Sequence, residues 1–343
     1  VVSVLKDNRP RFLIISDIEE IEILPSKYLK HLDQINASPN TVKSAAFALS
    51  YYYNYLQEQT IGLDEITLLS YSEQNKHFID FLYWVKSGKH TEHNTQTSNK
   101  TCNMYLGAVF RYYQFLALED VLPMLKVLRV KKVSYFDSMG VNHQNAVNSF
   151  KGFFKEEEPN LEEITSEEIQ ELINACTNDR DRLLIAMMAE TGLRLGEILG
   201  IHYTEDIDFE RNEISITKEV SWVNSQPTIQ TPKTKNAIRI VPLLAPLKQE
   251  LLTRKQKADN YLLGGEAPLK MYEYRRLWLD YCKDLGMVEI DYAAEQGRER
   301  KYHKAYGPER KRKPPTTHLY KPAVTAHQFR HEMASAMYEA GIG

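Results

Sequence analysis

Thr191-Gly192-Leu193-Arg194-Leu195-Gly196-Glu197 links two helical stretches and carries a charged pair at helical spacing. Upstream lies Leu183 to Ala189, the longest strictly apolar run of the chain, within a helix expected over 180–189 that ends at Thr191-Gly192. Downstream, 195–200 reads as a short helix. Glu197 follows Arg194 by three residues, so on a helix its carboxylate can brace that guanidinium, or it is an ordinary helix-face acid.

Working outward, Thr165-Ser166-Glu167-Glu168 places a capping oxygen three residues before a carboxylate and ahead of an apolar periodic run. This is a capping box that opens a domain. After 200 the pattern changes to period two over 213–220, 227–230 and 237–241, which predicts a small antiparallel sheet. Helices resume at 245–258, 269–285 and 326–340, the last with Thr325 as N-cap and Gly341 as stop.

The first half reads differently. Amphipathic helices are expected over 25–35, 39–57, 72–85 and 97–118, the second with Ser38 as N-cap and Pro39 at the first helical position. Tyr51, Tyr52, Tyr53 and Tyr55 crowd one of them and Tyr112 and Tyr113 another, a density read as packing rather than base or phosphate contact. The expected division is an arm or cut boundary over 1–20, a helical domain over 21–130, a linker over 131–161 broken by Gly140, Gly152 and Pro159, and a second domain over 162–343. The fold class is mainly α with a small antiparallel β-sheet.

A chain of 343 residues exceeds what one core usually organises, and its 43% hydrophobic and 26% charged residues are ordinary for a globular protein. No stretch has the length of a membrane span and no secretory signal opens the sequence, so a cytoplasmic location is expected. Cys102, Cys176 and Cys282 are widely spaced, which suggests core thiols rather than disulfides or zinc. The net charge of -3 hides a strong asymmetry. Residues 155–172 hold eight acids and one base, whereas 296–322 hold nine Lys/Arg and two Glu. A near-neutral average thus conceals a basic stretch that is either a phosphate-contacting surface or a solvated loop.

Three separated pieces carry the chemistry: the 191–197 stretch, Thr231-Pro232-Lys233-Thr234-Lys235, and His327-Gln328-Phe329-Arg330. Each alone is commonplace. Together, in this order and setting, they resemble the tyrosine recombinase (phage integrase) family, which has a TGLRxxE pattern, a lysine in a β-hairpin and HxxR on a late helix. The likeness is close from 162 onward and loose over the helical half. It implies a SAM-like core-binding domain and an α+β catalytic domain forming a clamp around DNA. The implied activity is site-specific strand cleavage and rejoining for a mobile genetic element.

Attack at phosphorus builds negative charge on the non-bridging oxygens, which preorganised donors must meet. Arg194 and Arg330 suit that role because guanidinium forks bind phosphate bidentately and stay charged. His327 lies one helical turn before Arg330 and can bond the same phosphate or move a proton. Lys233 is preferred over Lys235 as general acid to the leaving 5′ oxygen, a preference that rests on the resemblance. No metal or other cofactor is called for. The family's nucleophilic tyrosine follows the HxxR helix, and this sequence is expected to stop before it, leaving the chain alone cleavage-deficient; Tyr338 is not promoted to the role.

Further DNA contacts are expected from Asn40, Thr41 and Lys43, from Asn99, Lys100 and Asn103, and from Lys235, Arg298, Arg310, Lys311, Arg312 and Lys313. The resemblance implies a homotetramer on paired DNA sites, with accessory DNA-bending proteins as possible partners. The alternative is a catalytically silent DNA-binding regulator that kept the scaffold.

Overall fold

The structure is a computed structural model that describes residues 1–6, 9–16, 19–91, 96–136, 140–157, 164–223, 226–232, 237–253, 260–306 and 317–341. The chain folds as two compact units, Val1–Pro159 and Asn160–Gly343. Among the described residues, no helix is long and apolar enough to cross a membrane.

The first unit opens with strands β1 (Val2–Lys6) and β2 (Arg9–Leu13) and continues with helices α1 (Ile23–Gln34), α2 (Pro39–Gln59), α3 (Leu63–Leu68), α4 (Tyr71–Lys86) and α5 (Asn99–Leu118). A single 3-10 turn (Lys126–Leu128) leads to strands β3 (Val130–Phe136) and β4 (Asn142–Asn148). The four expected helices are present, and their starts follow the capping logic. Ser38 accepts from the Thr41 amide at 3.2 Å with Pro39 at N1, Ser70 and Glu73 form a full capping box, and Ser98 accepts from the Thr101 amide at 3.2 Å.

Two stretches differ from expectation. Residues 1–20, read as a patternless arm, contain the antiparallel β1–β2 hairpin, registered from Val2 opposite Leu13 to Lys6 opposite Arg9. All five β1 positions are exposed, so there is no buried face to impose an alternation on the sequence. Ion pairs from Arg9 and Arg11 to Asp33 of α1, at 3.1 and 3.0 Å, and the buried Ile14 tie the hairpin down. The expected linker contains the antiparallel β3–β4 hairpin, and beyond it Ser149 donates to the Val127 carbonyl at 2.8 Å while Phe150 enters the helical core. The core therefore reaches past the expected limit near 130.

The second unit begins at the Thr165 capping box, with Glu168 closing it, and runs α6 (Ser166–Ala175), α7 (Asp179–Thr191), α8 (Leu195–Gly200), α9 (Tyr203–Asp206). Strands β5 (Ile207–Asp208), β6 (Glu213–Ile216), β7 (Glu219–Val223), β8 (Gln226–Gln230) and β9 (Arg239–Pro242) follow. The chain ends in α10 (Ala245–Thr253), α11 (Met271–Asp284), β10 (Val288–Ile290), α12 (Tyr292–Tyr306), β11 (Tyr320–Pro322) and α13 (Ala326–Glu339). The single period-two run expected over 213–220 is two strands. β6 joins the antiparallel sheet β5-β6-β9, whereas β7 pairs with β8, because the chain changes sheet at 217–218.

The core of this unit gathers apolar residues of α7, α8, the sheets and α11. Phe329 fixes α13 upon it. The ring is 1% exposed and meets Trp278 edge-on at 5.8 Å, and the Trp278 indole donates to the Val324 carbonyl at 2.8 Å, holding the entry to α13. Burial of such a ring contributes about 2 kcal/mol, enough to set the rotation of a short helix. The basic stretch is helical in its first part, as α12, where Arg298 donates to the Thr317 carbonyl at 2.8 Å.

The tyrosines of the first unit are packing residues. Tyr52, Tyr112 and Tyr113 are fully buried, and the Tyr112 hydroxyl bonds that of Tyr53 at 2.8 Å. Tyr113 bonds the Leu63 carbonyl at 3.3 Å and Tyr52 at 3.0 Å, and Tyr52 bonds His77 Nε2 at 3.0 Å. A carbonyl only accepts, so Tyr113 donates there, Tyr52 donates to Tyr113, and His77 donates from Nε2 to Tyr52. Burial lowers the His77 pKa from 6.5 to about 4, with Asp80 opposing the shift. The neutral ring therefore stabilises the fold above pH 6.5, and that contribution disappears as pH falls through about 4. Acid titration of urea unfolding should show a loss of roughly 2 kcal/mol from this group. His77→Gln, which keeps a donor for Tyr52 but does not titrate, should flatten that part of the curve; an unchanged slope would refute the assignment.

Candidate active site

α7 stops at Gly192 because that residue takes φ +58°, a left-handed conformation that glycine adopts without steric cost. A Cβ there would also stand 3.1 and 3.3 Å from Cγ and Cβ of Met333 on α13. The Thr191 hydroxyl donates back to the Met187 carbonyl at 2.5 Å, and buried Leu193 anchors the turn. The turn thus seats α13 against the end of α7. Across this seat, Arg330 Nη1 donates to the Gly192 carbonyl at 2.8 Å.

Arg194 is the N-cap of α8, and Glu197 returns to accept its backbone N–H at 2.9 Å. α8 itself lies at backbone distance from β7, since a Cβ on Gly196 would stand 2.6 Å from the Val220 carbonyl oxygen. Glu197 is completely buried and Arg194 half exposed, at 0% and 53% of their side chains. The carboxylate meets Arg194 Nη1 at 2.9 Å through Oε1, and Arg239 of β9 through both oxygens, at 3.3 and 2.9 Å. Burial alone would raise the Glu197 pKa, but hydrogen bonds from Arg239 and Arg194 outweigh it and hold the group below its ordinary value. The carboxylate stays charged.

Arg330 completes a group of three arginines. Burial and then the charges of Arg194 and Arg239 lower its pKa, against the pull of Glu197, yet a guanidinium shifted downward remains protonated in water. Three cations around one buried anion leave a local excess of positive charge, a setting suited to an anionic group such as a phosphodiester. His327 is exposed one turn before Arg330, and its ring meets His331 edge-on at 4.6 Å.

The structure therefore brings together Arg194, Glu197 and Arg330, with His327 on the same helix as Arg330. Lys233 and Lys235 lie outside the described residues, as do Arg310, Lys311, Arg312 and Lys313. In the first unit Asn40, Thr41 and Lys43 are exposed at the start of α2, and Lys100 is exposed at the start of α5. Asn99 and Asn103 are engaged within the chain: Asn99 donates to the Lys155 carbonyl at 2.7 Å, and Asn103 pairs with the Phe154 backbone at 2.8 and 3.0 Å.

Arg239 escaped the sequence reading. Its signal was parity: in Ala237-Ile238-Arg239-Ile240-Val241 it shares a face with Ala237 and Val241, while Ile238 and Ile240 are 48% and 61% exposed. A hydrophobicity pattern favours the opposite assignment.

Residues 162–343, more than half of the chain, match the phage integrase family, and the chain belongs to it. Its relatives include transposase A of transposon Tn554 from Staphylococcus aureus, 25% identical over 228 residues that make up 64% of this chain and 61% of that protein. A tyrosine recombinase XerC-like protein from Caldanaerobacter subterraneus is 36% identical over 128 residues, 34% of this chain and 32% of the relative. The fold is similar to that of the Tn1549 transposon integrase in complex with transposon right end DNA, with a TM-score of 0.56 and 14% identity over 93% of this chain and 88% of that one.

The close approach of α8 to β7 sets a prediction. Gly196→Ala should cost about 2 kcal/mol, because the methyl meets a backbone carbonyl that cannot move without parting the sheet from the helix. Equilibrium urea unfolding reads this as a lowered midpoint at constant slope, and a midpoint equal to that of the unmodified protein would disprove the packing argument.

Proposed function

We propose that the protein is a site-specific DNA recombinase of a mobile genetic element, breaking and rejoining strands through a 3′-phosphotyrosine intermediate. The observation that carries this reading is the Gly192 junction, where Arg330 bonds the carbonyl two residues before Arg194, whose guanidinium in turn bonds the buried Glu197 carboxylate. Membership of the phage integrase family supports it.

In this mechanism a tyrosine hydroxyl attacks the scissile phosphorus and the bond to the 5′ oxygen breaks. Arg194 and Arg330 donate to the non-bridging oxygens as charge builds there. His327 bonds the same phosphate or carries a proton. Lys233, with Lys235 as the alternative, gives a proton to the leaving 5′ oxygen. Rejoining reverses these steps on a new 5′ end. Tyr338 is not assigned as the nucleophile on this reading, which the helical rise of about 12 Å between residues 330 and 338 supports. Exposed Asn40, Thr41, Lys43 and Lys100, Arg298 and the basic residues 310–313 supply phosphate contacts with strong salt dependence. The working assembly on this reading is a homotetramer on paired sites, with DNA-bending proteins as optional partners and no cofactor.

The test is to express the protein from its complete gene and incubate it with suicide duplexes bearing candidate element ends, without divalent metal. A denaturation-resistant protein–DNA adduct is expected, reduced about 100-fold or more by Arg194→Ala or Arg330→Ala. Tight binding without an adduct would instead favour the silent DNA-binding regulator. For the general acid, Lys233→Ala should recover when sulfur replaces the leaving 5′ oxygen, because a thiolate departs without a proton; recovery by Lys235→Ala alone would transfer the role.

A further inference from the structure

We propose that Arg239 is a positioning residue that governs the Arg194 guanidinium through Glu197, an inference that rests on the recombinase reading above. Arg239 holds both oxygens of Glu197 and also donates from Nη1 to the Ala237 carbonyl at 2.9 Å. Ala237 is 8% exposed. One guanidinium thus joins the Ala237 backbone to the carboxylate that orients Arg194.

The division of labour between the two arginines follows from their bonds and exposure. The Arg239 side chain is 29% exposed and commits Nη1 and Nη2 to Glu197 and Ala237, whereas that of Arg194 is 53% exposed and, among the described residues, meets Glu197 through Nη1. Without Arg239 the buried carboxylate keeps side-chain hydrogen bonds from Arg194 alone, among the described residues. Glu197 then draws the Arg194 fork into bidentate pairing, away from the direction in which a phosphate approaches. Arg239 therefore sets how much of Arg194 is available, without touching the substrate.

The experiment compares Arg239→Ala, Arg239→Lys and Glu197→Gln singly and combined, in the protein expressed from its complete gene. Single-turnover adduct formation should fall about 30-fold in Arg239→Ala, while the Kd for duplex DNA stays within about twofold. Arg239→Lys should recover part of the rate. In the Glu197→Gln background, removing Arg239 should cost about threefold or less, because the carboxylate it controls is gone. An unchanged rate, effects that multiply independently, or a loss of DNA affinity equal to the loss of rate would each overturn the assignment, the last by making Arg239 a direct phosphate contact. If Arg239→Ala does not fold, Arg239→Lys and Arg239→Gln carry the comparison. A second readout needs no activity: in 15N NMR of arginine side chains, the Arg194 Nε–H order parameter should change in Arg239→Lys, and an unaltered signal would contradict the proposal. An unmodified protein that forms no adduct counts against the recombinase reading alone, and the NMR comparison then decides the role of Arg239.

Discussion

A carboxylate with no solvent exposure, Glu197, is the constraint around which the second unit is organised. Removing an ion of this kind from water costs several kcal/mol, so it persists only where donors surround it. Four donors do so: the backbone N–H and guanidinium of Arg194, and two nitrogens of Arg239. Satisfying them requires α8 to start at Arg194 and β9 to run alongside. It also requires α8 to approach β7 closely enough that Gly196 has no room for a side chain. The local fold and the electrostatics of the site are thus one arrangement.

α13 is attached to this arrangement by complementary means. Phe329 provides the apolar anchor in the core, Trp278 holds the Val324 carbonyl two residues before the helix, and Arg330 bonds the Gly192 carbonyl. That carbonyl belongs to a residue whose left-handed turn ends α7. A guanidinium placed beside two others is held against mutual repulsion by the buried carboxylate and by this backbone bond, which explains how three cations share a small region before any anion arrives. Preorganisation of this kind is what stabilisation of a charged transition state demands, since the donors need not reorient as charge develops.

The first unit solves a different problem. Its aromatic core hides hydroxyls that must still be bonded, and the chain from His77 through Tyr52 and Tyr113 to the Leu63 carbonyl does so with a single consistent proton order. Asn99 and Asn103 hold residues 154–155 rather than facing outward, so the chain beyond the β3–β4 hairpin is stitched back to α5. The sequence candidates for nucleic-acid contact that are exposed in this unit are Lys100 of α5 and Asn40, Thr41 and Lys43 of α2.

By itself the sequence determined the features governed by local spacing. Helix starts at Ser38 and Thr165, the stop at Gly192 and the mainly helical class with small antiparallel strands follow from neighbours within a few residues, where capping and helical periodicity act, and the Arg194–Glu197 spacing allowed the pairing that the fold then made. Only the tertiary structure decided what depends on contacts distant in sequence. The β1–β2 hairpin has one fully exposed strand and so left no alternation to read. The 213–220 run is divided between two sheets by pairing with β9 and β8, partners that periodicity cannot name. Arg239 is the clearest case: a charged residue among isoleucines was turned inward because a buried carboxylate forty-two positions earlier needed a second donor, and no local pattern encodes a partner brought near only by folding.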